Sequence, residues 1–170
     1  DCLAKFFNAS VVRETVKGKA AELKEKYLEL AKKEIEANSP GGLQKLLKEA
    51  AAEFNALAKP DVHLPQVGIV GEIYLKFNAF AHKNITGWLM DHSIEVMPPL
   101  LTPFLMQAFV NRITNRKFGL ERHHMPNLIV DALYMWVSKQ VKKFNEIGEE
   151  FQYFTPIEDI FDLANDGKSI

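Results

Sequence analysis

Apolar residues recur along the first third of the chain at steps of three and four. Val16, Ala20, Leu23, Tyr27, Leu30 and Ile35 fall on one face, as the 3.6-residue helical repeat requires. Glu22, Lys24, Glu25, Lys26, Glu29, Lys32 and Lys33 lie between them and belong in water. Asn38-Ser39-Pro40-Gly41-Gly42 ends this helix and starts another. Leu43, Leu46, Leu47, Ala50, Phe54 and Leu57 repeat the pattern until Pro60 stops it. Two amphipathic helices joined by a short turn predict an antiparallel hairpin within residues 1–60.

The period then changes. Val67 to Leu75 is a β-branched, nearly continuous apolar run between Pro65 and the polar loop at 76–80. Such a run predicts a strand buried on both faces. A helix is expected over 81–91, with Ile85, Trp88 and Leu89 inward. Ile94-Glu95-Val96-Met97 reads as a second short strand, stopped by Pro98-Pro99. Strand, helix and strand at this spacing predict a parallel, right-handed crossover. Two parallel strands make too small a sheet to stand alone. An edge partner is therefore expected, from further strands of a longer chain or from a second copy.

The remainder is helical again. A helix over 100–115 places Leu101, Phe104, Leu105, Ala108, Phe109 and Ile113 inward. A longer one over 126–147 does the same for Leu128, Ile129, Ala132, Leu133, Trp136, Val137, Val141 and Phe144. Thr155-Pro156-Ile157-Glu158 carries the N-cap, first-turn proline and capping-box signals of a last helix. The fold class is thus α/β and helix-rich: a helical hairpin over 1–60, then over 61–170 a short parallel βαβ unit (an incomplete Rossmann-like sheet) with C-terminal helices. The chain opens on Asp1 and closes after a turn-like Asn165-Asp166-Gly167-Lys168. It reads as one compact domain excised from a longer protein.

Composition narrows the function. The chain has 170 residues, 47% hydrophobic and 25% charged, with a net charge of −1. These values fit a globular domain with a real core and provide no field for nucleic acid or an anionic membrane. No apolar run approaches the length of a membrane span. Cys2 is the single cysteine, so the chain alone holds no disulfide, zinc ion or iron–sulfur cluster. A reducing, cytoplasmic compartment is expected, with Cys2 a buried or terminal free thiol.

Candidate chemistry gathers after the first strand. Gly68 and Gly71 allow either ligand approach at a strand's carboxyl end or close backbone packing. Glu72, Tyr74, Lys76 and Asn78 are spaced by two and would share one side of an extended chain. With Gly71 and Asn84 they are the ligand-binding candidates. A carboxylate in an apolar strand needs a partner, so Glu72 is expected to bond a loop amide, a helix N-terminus or Lys76. His123 and His124, beside Glu121 and Arg122, diverge on any regular backbone and read as a polar connection, not a metal site. His63, His82 and His92 are isolated. Phe104, Phe109, Phe118, Trp136 and Phe144, with Met97, Met106, Met125 and Met135, have the helical spacing of core rather than of a ligand pocket. No Ser-His-Asp or Cys-His spacing stands out, and no catalytic residue is assigned.

The segment Val67-Gly68-Ile69-Val70-Gly71-Glu72-Ile73-Tyr74-Leu75-Lys76-Phe77-Asn78-Ala79-Phe80-Ala81-His82-Lys83-Asn84 resembles the "VGIVGEIYvKfNpfAnn" signature of large anaerobic proteins that join an activator ATPase to modules related to 2-hydroxyacyl-CoA dehydratases. Ile94 to Pro98 resembles that family's "lE..GaEvv.P" stretch, Leu101 to Leu105 its "L.dFfl", and Arg13 to Ala20 its "RpyE...G.a". Ala79 and His82 depart from the signature, where Pro and Asn are usual. The resemblance implies a complete protein that supports reductive activation or dehydration of 2-hydroxyacyl-CoA thioesters, with an iron–sulfur cluster and ATP bound elsewhere. For this chain it implies a non-catalytic or site-completing domain that packs against other modules of its own chain, with no cofactor of its own. Acyl-CoA contact would place Lys76 near a phosphate. The alternatives are a free-standing α/β module binding a small molecule or protein, and an enzyme with its site at the loop from Glu72 to Asn84. A homodimer through the sheet edge or the helices is a further expected partnership. All of this leans on residues 67–75 forming a buried strand.

Overall fold

A computed structural model describes residues 1–120 and 126–161, with side chains for all of these except 126 and 127. Among the described residues there are seven helices and two strands. The chain divides into two compact units. One comprises Asp1–Pro99 and Glu146–Thr155, the other Leu100–Asn145 and Pro156–Ile170. The hairpin region and both strands therefore share a unit.

In the first unit, helix α1 (Cys2–Val11) precedes the region where periodicity predicts the first helix. Helix α2 (Lys19–Glu36) buries Ala20 and Tyr27. Its start is set by Glu14, whose carboxylate accepts from the amides of Gly18 (2.6 Å) and Ala20 (2.8 Å). Gly18 sits at φ 92°, a left-handed conformation that glycine adopts freely. Val16 lies in the preceding turn and Ile35 in the last turn of α2, and both are exposed, so the expected α2 face is shorter than predicted. Helix α3 (Pro40–Leu57) starts as expected: Ser39 Oγ accepts from Gly42 N at 3.1 Å and Pro40 occupies the first turn. Lys26 bridges both Glu53 oxygens at 2.7 Å, which ties α2 to α3 as an antiparallel pair.

The core of this unit is aromatic. Phe6, Tyr27, Phe54 and Phe151 are fully buried. The Phe6 ring lies 5.9 Å from that of Phe54 and 5.0 Å from that of Phe151. Each buried Phe contributes on the order of 2–3 kcal/mol. Phe154 packs so closely on Gly148 that a Cβ there would fall 2.5 Å from its ring. That glycine is required by contact, not by φ. Phe104, Phe118, Met135 and Trp136, expected in the core, are exposed; Met106 is buried and Met97 half-buried. Met125 lies outside the described residues.

Strand β1 (Gln66–Gly68) pairs in parallel with β2 (Glu95–Met97), in the register Gln66–Glu95, Val67–Val96 and Gly68–Met97. The predicted strand over 67–75 is therefore corrected in both extent and burial. All three β1 residues are exposed, and the chain turns into helix α4 (Ile73–Phe77). Gly71 at φ 147° breaks the extended run. Glu72 then caps the helix. Helix α5 (Ile85–Asp91) follows, but Ile85 and Trp88, expected inward, are exposed. β2 is the buried strand: Glu95 and Val96 are sequestered, and Val96 O accepts from Asn8 Nδ2 at 2.7 Å.

The second unit contains helix α6 (Leu101–Lys117) and helix α7 (Pro126–Gly148), whose last turn runs into the first unit. Arg116 holds both Asp131 oxygens, at 2.6 and 2.7 Å, and the Phe109 ring lies 6.5 Å from Tyr134. Met106 and Val110 are the buried residues of α6. Leu101, Phe104, Leu105 and Ala108, at the predicted i, i+3, i+4, i+7 spacing, are exposed. So are Leu128, Ile129, Ala132, Leu133 and Trp136 of α7, while Val137, Val141 and Phe144 are half-buried. The periodicity of these faces is as read, but most residues on them are exposed. The predicted helix start at Thr155 is also corrected. Ile157 is held outside the helix by Asn145, whose side-chain amide accepts from Ile157 N and donates to Ile157 O, each at 2.9 Å. Helical backbone begins at Ile160, with Asp159 Oδ1 accepting from Phe161 N at 2.8 Å. The segment from Glu121 to Met125, with His123 and His124, lies outside the described residues.

Candidate functional site

The segment from Gln66 to His92 carries most of the candidate residues. Glu72 Oε2 accepts from Leu75 N at 3.2 Å, so its partner is a helix N-terminus, one of the three expected. Asn78 Oδ1 accepts from the amides of Phe80 and Ala81, at 3.0 and 3.1 Å, and closes a turn. His82 Nδ1 accepts from Ile85 N at 3.2 Å, in place of the N-cap Asn84, whose side chain makes no cap bond. Lys83 and Asn84 are both left-handed, at φ 52°. The Asn84 amide donates to Ala79 O at 2.7 Å. Tyr74 is exposed and Lys76 half-buried in the last turn of α4. Glu72, Tyr74, Lys76 and Asn78 therefore do not share one side of an extended chain, and the other two candidates, Gly71 and Asn84, lie in the turns before α4 and α5. The helix from Ile73 separates them, and two of them, Glu72 and Asn78, accept from backbone amides.

These bonds fix a loop that displays apolar side chains. Val70 is 90% exposed and Phe80 92%. Tyr74, Phe77 and Trp88 are exposed beside them in sequence. Trp88 stacks with His92 at 4.2 Å between ring centroids. Contiguous patches of large apolar groups mark interaction surfaces, whereas scattered ones are ordinary.

A second feature lies at the β1 entry. Arg13 is buried, and its Nη2 lies 2.7 Å from Glu95 Oε2, with side-chain exposures of only 3% and 4%. The Glu95 oxygen receives no well-directed hydrogen bond, so charge proximity carries the contact. Arg13 Nε donates to Val62 O at 2.9 Å and Nη1 to Ala9 O at 2.8 Å. The guanidinium lies 4.1 Å from the centre of the Tyr153 ring, and the Tyr153 hydroxyl accepts from Val62 N and donates to Lys59 O. Above this floor is a cavity of about 460 Å³, lined also by Asp61, His63, Gln66 and Gln152. His63, isolated in sequence, thus has polar company. Sequence reasoning did not single out Arg13 or Glu95, although both fall in segments that carry the family resemblance.

Elsewhere, burial pushes the Cys2 thiol above its ordinary value. Burial and a bond to Glu53 raise the Tyr27 phenol. The Lys26 ammonium holds the Glu53 carboxyl below the usual carboxylate range. No group of three His, Cys, Asp or Glu among the described residues is placed to hold a metal. No helix among them is long and apolar enough to cross a membrane. Compared with known proteins, the chain matches no family model, no curated protein and no solved structure.

Proposed function

We propose that this chain is a non-catalytic docking domain that completes a larger assembly, with the loop around Phe80 as its anchor. The observation that carries the reading is the ordered display of Val70, Tyr74, Phe77, Phe80 and Trp88 in water. Asn78, His82 and the left-handed pair at 83–84 tie that loop before any partner arrives. Preorganisation of this kind lowers the entropy lost on binding. An aromatic anchor entering a partner's pocket supplies most of the energy of such contacts.

The family resemblance names the partner class: cluster-bearing modules of the 2-hydroxyacyl-CoA dehydratase type and their activator ATPase. In this reading the iron–sulfur cluster, ATP and acyl-CoA belong to those modules, in a reducing cytoplasm. The structural condition set for the resemblance is not met, because the buried strand expected at 67–75 is a short exposed strand followed by a helix; the partner class rests on residue identity alone. One feature favours it. Arg13 and Glu95, from two separate segments of resemblance, are each other's ion-pair partners. The test is titration calorimetry of the chain against purified dehydratase-type and activator-type modules. Binding is expected, and Phe80→Asp should weaken it by at least about a hundredfold, the scale of an aromatic anchor. Absence of binding removes the partner class, and binding indifferent to Phe80 removes the anchor.

A further inference from the structure

The parallel ladder uses one edge of β1 and leaves the other open. Glu95 N donates to Pro65 O at 2.9 Å, so with the observed register Val67 turns its backbone groups toward β2. The N–H and C=O of Gln66 and Gly68 point the opposite way. No hydrogen bond among the described residues reaches them. On the outer edge of β2, by contrast, Val96 is buried and its carbonyl accepts from Asn8 Nδ2.

We propose that a second copy of this chain closes the edge, its β1 antiparallel to the first about a two-fold axis at Val67. The free groups sit two residues apart and symmetrically about Val67. In that arrangement Gln66 of each copy faces Gly68 of the other, and each such pair exchanges two N–H···O bonds. All four outward groups of each strand are then satisfied. Val67 meets its own twin in the close, non-hydrogen-bonded position, an apolar cross-strand pair. The result is a four-stranded sheet in the order β2-β1-β1-β2. A three-residue strand with this parity is self-complementary, and a two-fold interface requires self-complementarity.

Three further observations favour a twin strand. Gln66, Val67 and Gly68 are all exposed, so a strand can reach the outer edge. Natural edges repel copies of themselves with charge, and Leu64 to Gly71 contains no charged residue. Pro65, the usual edge blocker, lacks its N–H on the β2 side, where Pro65 O bonds Glu95, and leaves the outer edge intact.

This inference is independent of the docking reading, which uses side chains centred on Phe80 and a different partner. Sedimentation equilibrium of the full chain alone tests it. A concentration-dependent dimer is expected, with slower amide exchange at Gln66 and Gly68 as concentration rises. Val67→Lys and Val67→Asp should each weaken the dimer by about tenfold or more through opposed like charges. An equimolar mixture of the two should restore association. Phe80→Asp should leave it unchanged. A chain monomeric at millimolar concentration overturns the proposal, as do single variants that dimerise normally or a mixture that stays monomeric.

Discussion

Arg13 stands in a stretch whose hydrophobic pattern marks it only as the approach to a helix. The fold buries it, paired with Glu95 and bonded to the carbonyls of Ala9 and Val62. A buried ion pair adds little net stability, because desolvation offsets attraction, but removing one partner strands the other charge. Arg13→Ala should therefore cost about 3–5 kcal/mol. The double variant Arg13→Met with Glu95→Gln should lose clearly less, as read by urea denaturation. Equal losses would mean that the charge pairing is irrelevant and that Arg13 acts only through its packing on Tyr153. Nothing in the local sequence announces this pair. Ser39 is the opposite case. Its cap on α3 was legible because a cap, a proline and a following apolar repeat are all local signals.

At the scale of elements, the segment from Gln66 to Phe77 shows where local reading fails. Val67, Ile69, Val70 and Ile73 favour a strand by their branching. The strand stops at Gly68 because β2 spans only Glu95 to Met97, so no further ladder bonds are on offer. Beyond it, Gly71 at φ 147° turns the chain and Glu72 starts α4. The competing cap wins because branching stabilises a strand only when a neighbour packs against it. Glu72→Ala should cost about 0.5–1 kcal/mol. It should also speed amide exchange at residues 75–77 and lower the melting temperature modestly. Unchanged exchange there would remove the capping role. The start expected at Thr155 failed in a similar way: Asn145, twelve residues earlier, binds both backbone groups of Ile157.

For the first unit as a whole, the core depends on residues that return late in the chain. Phe151 meets Phe6 and Phe54, and Asn55 grips the same return by accepting from Gln152 N at 2.9 Å and donating to Glu150 O at 2.6 Å. Phe151→Ala should destabilise the protein by about 3–5 kcal/mol through the cavity it leaves. Chemical denaturation followed by near-ultraviolet circular dichroism would read the loss. A loss below about 1 kcal/mol would show that the ring is not part of the cooperative core. The second unit presents another balance. Its helices carry the apolar repeats read from the sequence, yet Leu128 and Ile129 remain 75% and 71% exposed.

The sequence by itself determined where α2 and α3 run, how Ser39 and the glycines divide them, where β2 lies, and that the two strands pair in parallel. All but the pairing rest on neighbours a few residues apart, which the chain carries with it in any fold; the pairing follows from the close succession of strand, helix and strand. Only the tertiary structure decided how long β1 is, which apolar faces are covered, and that Phe6, Phe54 and Phe151 form one cluster beside a buried Arg13–Glu95 pair. Periodicity shows that an element has an apolar side. Whether another part of the chain arrives to cover that side, or leaves it in water for a partner, is set by contacts between residues far apart in sequence.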